Sequence, residues 1–341
     1  MKTNFAVLFL TIILISVSAC ITKARNTNEA ADIEQVLESD SPEEYSVIGG
    51  YKTQYLARFA NIRTGTIYVT ISEGKSADLS GIEQMPNIKT LHLTMLQDIK
   101  GIDFSPVRTL TKLKRVEIGG WGVTAIPDLG GLPLLTQLVI ISGSLTSLAG
   151  IEKIPTLEYL CIGNNRELLA DMSALQHLKN LSTISYWWGS YSIDFSVLKD
   201  LPKLETLDIG GGEVDFTGIS RLKSLKKLSV EKNKGSTYKN IEEIGKMTWL
   251  KELELNTSIA SVEFLAGNSS LEDLTLIAEK MRDDFYDVAL PLDGKPLSNL
   301  KNLKRLTILG FEIGNFEIEN WEALKNALPN LEYITTELLP Y

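Results

Sequence analysis

Histidine and cysteine are almost missing from this chain, with two of each in 341 residues. Two histidines cannot build a histidine-rich metal centre and leave little for a histidine-based enzyme. Two cysteines cannot make a disulfide framework. No basic run is long, and acids outnumber bases 43 to 34, for a net charge of −9. That balance argues against a nucleic-acid partner. No phosphate-cradling loop, dinucleotide fingerprint, nucleophile elbow or paired-carboxylate motif stands in its required context. No apolar run reaches the about 20 residues that a spanning helix needs. What is left is ordinary for a globular protein, 44% apolar and 23% charged,. The length exceeds the usual size of one core and would ordinarily divide into two domains.

The N-terminus carries an address. Met1-Lys2-Thr3-Asn4 precedes an apolar run from Phe5 to Val17, then Ser18-Ala19-Cys20. A short positive end, about a dozen apolar residues and small residues before a cut describe a signal peptide, expected over 1–19. Val17-Ser18-Ala19-Cys20 also resembles the lipobox of bacterial lipoproteins, which implies a lipid on Cys20 and a membrane anchor. Plain cleavage after Ala19, giving a secreted soluble chain, is the alternative. Residues 21–50 hold seven acids against Lys23 and Arg25. With few large apolar side chains, residues 20–50 are expected to form a solvated acidic tether.

From residue 64 onward one pattern recurs: an apolar anchor with apolar residues at +3 and +5. It runs through Ile88-Leu91-Leu93, Leu113-Val116-Ile118, Leu135-Leu138-Ile140, Leu157-Leu160-Ile162, Leu181-Ile184-Tyr186 and Leu204-Leu207-Ile209. It continues as Leu225-Leu228-Val230, Leu250-Leu253-Leu255, Leu271-Leu274-Leu276 and Leu303-Leu306-Ile308; Leu331-Ile334 closes it. Anchors step by 21 to 25 residues, lengthening to 32 and 28 at the end. A period of 20–29 with this spacing is the leucine-rich repeat. Positions +3 and +5 share one side of a strand and point inward, whereas +2, +4 and +6 point out. A single strand cannot bury itself, so stacked repeats build one long core and the length no longer requires two domains. The expected fold is α/β over 51–341. It is a curved right-handed solenoid of about 11–12 repeats, with a parallel sheet on its concave face and short helical or irregular returns.

The second half of each repeat, as in Leu145, Leu148, Ile151 and Ile154, resembles the 22-residue class of internalins and related bacterial surface proteins. The resemblance covers about residues 64–341. Proline two residues before the anchor, at 86, 133, 155, 202 and 329, suits the entry to a strand. One feature departs from that family: its asparagine at +8 survives only as Asn165 and Asn233. The asparagine ladder is incomplete, so the backbone there is expected to find other partners or to be locally irregular.

Little of the sequence suggests reaction chemistry. His92 faces outward at +4 and His177 lies in a return about four repeats away, so they cannot share a metal or a proton. Cys161, at +4 beside Tyr159, could be a reactive thiol, but with no histidine near it reads as a small groove-lining residue. Asp283, Asp284, Asp287 and Asp293 in the long 279–300 segment could hold calcium, yet their spacing does not fit the alternating ligand loop. No cofactor and no metal is expected.

The outward columns are mostly small or polar except in the middle. There Val139, Ile141, Tyr159, Cys161, Trp187 and Trp188 gather, and solvent-facing columns are expected to be polar unless something covers them. Aromatic anchors among small residues resemble a binding hot spot. Val139, Ile141, Tyr159, Trp187 and Trp188 are the candidate contacts. Lys89, Lys114 and Arg115 make one end of the face basic; Glu252, Glu254, Glu272 and Asp273 make the other acidic, which orients a polar partner. The resemblance implies a monomeric, non-enzymatic surface protein that binds a protein or peptide on the concave face. The alternatives are an enzyme using the irregular repeats after Leu271, and an envelope component without a discrete ligand.

Overall fold

A computed structural model describes residues 36–38, 44–49, 65–71, 77–95, 102–120, 122–142, 144–163, 171–189, 193–232, 237–278, 290–314 and 326–337. Fourteen strands stand side by side in chain order in one sheet. They are β1 (Val36–Glu38), β2 (Glu44–Gly49), β3 (Thr66–Ile71), β4 (Thr90–Met95), β5 (Arg115–Gly120), β6 (Gln137–Ile141) and β7 (Tyr159–Gly163). Then come β8 (Thr183–Gly189), β9 (Thr206–Gly211), β10 (Lys227–Lys232), β11 (Glu252–Thr257), β12 (Asp273–Ala278), β13 (Arg305–Leu309) and β14 (Tyr333–Glu337). β1 pairs antiparallel with β2. Every later neighbour is parallel and in the repeat's own register, so Ile184 pairs with Leu160 and Leu207 with Leu228. The chain is a leucine-rich-repeat solenoid.

Parallel neighbours need a crossover, and the returns supply it with a period of three. Leu79, Ile82, Met85 and Ile88 are all buried. The N–H groups of Ile82, Met85 and Ile88 each donate to the carbonyl three residues back, at 2.9–3.3 Å. Leu148-Ile151-Ile154-Leu157 and Phe216-Ile219-Leu222-Leu225 repeat the arrangement. A chain that turns every three residues keeps i and i+3 on one side, so each return lays an apolar ridge against the strands. Short 3₁₀ turns such as Ile82–Gln84, Ile151–Lys153 and Ile219–Arg221 mark these bends. Gly81, Gly150 and Gly218 precede them at φ of 100°, 99° and 85°, a left-handed conformation that a side chain disfavours. The prolines at 86, 133, 155, 202 and 329 stand in the turn between return and strand. One apolar cluster runs from Ile67 to Leu331.

One expectation changes. The tether expected over 20–50 contains β1 and β2, and β2 continues the repeat register, with Tyr45 opposite Ile67 and Val47 opposite Val69. Among the described residues the sheet therefore begins at residue 36. Seven acids outweighed, in composition, an alternation carried by only two apolar residues. The signal segment, Cys20 and the rest of the tether lie outside the described residues.

The strand exits find backbone partners other than an asparagine ladder. Asn165 and Asn233 also lie outside the described residues, and hydroxyls do the work where the exits are described. Ser142 Oγ donates to the Val123 carbonyl at 3.1 Å, and Tyr238 donates to the Asn256 carbonyl at 2.6 Å. In the return before β12 a buried asparagine takes the place of an apolar ridge residue. Asn268 donates to the Met247 carbonyl at 3.0 Å and accepts from the Leu271 N–H at 3.1 Å, so its burial leaves no polar atom stranded.

Candidate functional site

On the open face of the sheet the outward side chains form three parallel rows, one for each of +2, +4 and +6. The +4 row is the floor. Glu117 on β5, Val139 on β6, Ser185 on β8 and Ser229 on β10 are all buried there. Val139, expected as an exposed contact, is only 3% exposed. Alternation along a strand says which face a side chain takes; it does not say whether two flanking rows cover it. Val139 is a floor residue and leaves the set of candidate contacts.

A polar ladder crosses the face. Tyr68 on β3 stacks on His92 on β4, with ring centroids 4.2 Å apart and planes 8° from parallel. His92 Nδ1 lies 2.6 Å from Glu117 Oε2. Arg115 donates to the other Glu117 oxygen and, at 2.5 Å, to Gln137 Oε1. The Arg115 guanidinium also lies 5.9 Å from the centre of the Tyr159 ring. Further along, Ser185 Oγ donates to Asp208 Oδ2 at 3.1 Å.

Electrostatics divide the ladder in two. Burial alone pushes the Glu117 carboxyl up, but the hydrogen bond and charge of His92 and the charge of Arg115 outweigh it and hold the group below the usual carboxylate range. Asp208 goes the other way: burial raises it, against the Ser185 hydrogen bond and the charge of Lys227. Glu254 is likewise raised by burial, opposed by Lys227 and reinforced by Asp208 and Asp273. Burial pushes the Cys161 thiol up to about 11 and the Tyr159 hydroxyl up to about 12. Neither is poised to react near neutral pH.

The +6 row alternates in size across Gly119, Ile141, Gly163, Trp187 and Gly210. A Cβ placed on Gly163 would meet Ile141 Cγ1 at 3.6 Å, and one on Gly210 would lie 2.3 Å from Trp187 Cε3. The indole of Trp187 is therefore laid across the bare backbone of the next strand. A bulge sets it there. Between β8 and β9 the register passes from Tyr186 opposite Ile209 to Gly189 opposite Gly211, and the extra residue turns the local side chains. Ile141, Tyr159 and Trp187 are each half-buried on the face; Ile141 and Trp187 stand in the +6 row, whereas Tyr159 stands in the +2 row beside Arg115. Trp188 is on β8, but its side chain lies outside the described ones.

The other candidate groups do not converge. His92 is on β4, while His177 ends the return turn Ser173–His177. Of the four aspartates in the long segment only Asp293 is described, and it accepts from the Lys295 N–H at 3.1 Å. Among the described residues no three histidine, cysteine or acidic side chains come together as a metal site. None of their helices is long and apolar enough to cross a membrane.

Neither a family model nor a curated protein sequence matches the chain. Among solved structures it is similar to an internalin from Listeria monocytogenes, with a TM-score of 0.54 and 16% identity over 87% of each chain. At that identity the likeness is one of fold.

Proposed function

We propose that the chain is a non-enzymatic recognition protein that binds a protein or peptide partner on the open face of its sheet. It is exported and held to a bacterial membrane by a lipid on Cys20. The observation that carries the binding reading is Trp187, a half-exposed aromatic held flat by a bulge and a glycine, with Ile141 in the same row two strands away and Tyr159 on the strand between them. A large side chain fixed before the partner arrives loses little entropy on binding. The leucine-rich-repeat fold supports the reading because it holds such a patch on a rigid sheet within one chain, so a monomer suffices.

The test is affinity capture by the exported chain. A Trp187→Ala variant is expected to lose at least ~2 kcal/mol of binding, about thirtyfold, as truncated hot spots do. Its melting temperature stays close to the parent's, because Trp187 covers the core without entering it. Unchanged capture contradicts the reading and favours an envelope component without a discrete ligand. The anchor has its own test. Cys20→Ala is expected to move the protein from the detergent-extracted membrane fraction to the soluble one and to abolish fatty-acid labelling. Unchanged fractionation with retained label contradicts lipidation.

A further inference from the structure

Beyond Trp187, the face carries two carboxylates, Asp208 and Glu254, with which none of its described cations forms a direct ion pair. Asp208 on β9, Ser229 on β10 and Glu254 on β11 share one register across three strands. Two strand spacings put the two carboxylate-bearing positions roughly 10 Å apart, with only the small Ser229 between them. Asp208 receives the Ser185 hydroxyl at 3.1 Å. Among the described residues the Glu254 carboxylate has no hydrogen-bond or ion-pair partner. Lys227 is the nearest cation to both in sequence register, but its ammonium lies 3.4 Å from Glu252 at the rim. Asp273 is already paired with Arg305 at 2.6 Å.

Two further features border the same area. The Trp187 indole lies over Gly210, two residues along β9 from Asp208. Asn256, two residues along β11 from Glu254, is 7% exposed, and its Oδ1 is buried with no donor. A buried amide oxygen without a donor is costly and uncommon. It is a different kind of defect from crowded carboxylates, yet a ligand that brings N–H donors and positive charge remedies both. A metal ion is a poor match, since it needs its oxygens gathered within about 2.3–2.6 Å of one point. A flat, wide cation with donors on several edges is a better one.

We propose that Trp187, Asp208, Glu254 and Asn256 form a receptor for a basic side chain of the protein partner, an arginine in preference to a lysine. The guanidinium lies on the indole face and donates from separate edges toward the two carboxylates, and the Asn256 amide, whose oxygen has no donor in the free protein, turns to meet a remaining N–H. Its planar fork and weaker hydration suit a half-buried stacked site better than a compact ammonium does. The inference rests on the recognition reading and adds the chemistry of what is recognised.

The probe is a hexa-arginine peptide, titrated by calorimetry into the exported chain made soluble by Cys20→Ala, with hexa-lysine alongside. An Asp208→Asn, Glu254→Gln double variant is expected to bind hexa-arginine at least tenfold more weakly. Trp187→Ala is expected to bind it severalfold more weakly and to lose the preference over hexa-lysine. The amides match the carboxylates in size and relieve repulsion, so the double variant keeps its melting temperature. A Glu83→Gln, Glu152→Gln variant makes the same charge change among the returns and is expected to bind as the parent does. Equal losses in the two double variants, or hexa-arginine binding within twofold of the parent in Asp208→Asn, Glu254→Gln, overturn the inference. Partner capture that depends on Trp187 but not on Asp208 and Glu254 leaves the recognition reading standing and removes this one.

Discussion

Replacing Leu207 by alanine is expected to cost about 2–5 kcal/mol, the range for emptying a buried leucine site that cannot collapse. Leu207 has no exposed surface, and its strand neighbours Ile184 and Leu228 are buried at the same level. Parallel strands held at ladder spacing on both sides leave little room for β9 to sink into the gap. Each repeat contacts mainly its neighbours, so a defect at a central strand weakens two interfaces at once. A denaturant titration should show either an earlier midpoint or a transition split into two halves. A curve superimposable on the parent's would mean that this position does not face the core.

That position was legible in the sequence because two short-range rules agree on it. The alternation at +3 and +5 gives the inward row, and the 21–25-residue step says that the row repeats. The returns were legible in part: Leu145, Leu148, Ile151 and Ile154 show a period of three as plainly as the strands show a period of two. The N-terminal end misled because charge dominates its composition. A strand needs only an alternation of a few residues, and Tyr45 and Val47 supply it among acids.

The face was harder to read, for a geometrical reason. Sequence offsets give the direction in which a side chain leaves the strand, and lateral neighbours then decide what becomes of it. Val139 leaves toward the open side and is still buried, whereas Trp187 leaves the same way and comes to rest on Gly210. His92, Glu117 and Arg115 come together because their strands adjoin in register. Size and charge have to be read across neighbouring strands as well as along the chain.

The second large effect lies in that ladder. Arg115→Met is expected to destabilise the protein by about 3 kcal/mol, the lower end for removing one partner from a buried ion pair. Glu117 is only 6% exposed, so a carboxylate deprived of its guanidinium has little water to turn to. His92 remains at 2.6 Å, which keeps the loss from being larger. The pH dependence has a definite sign. Surrounding cations hold the folded-state Glu117 carboxyl below its ordinary value of 4.5. Its contribution is therefore complete above that value and is lost as pH falls through the lower folded-state value. In Arg115→Met the downward pull weakens while burial persists, so the loss begins at higher pH. Pairing the change with Glu117→Leu is expected to recover most of the stability and to remove this acid step. Buried ion pairs are often no better than apolar replacements of similar volume, and the same row already takes an apolar side chain at Val139 on the adjoining strand. Denaturation of the parent, the single and the double variant at pH 7 and pH 4 measures all of this. A single variant as stable as the parent at pH 7, or a double variant weaker than the single, would show that Glu117 is solvated well enough to stand alone.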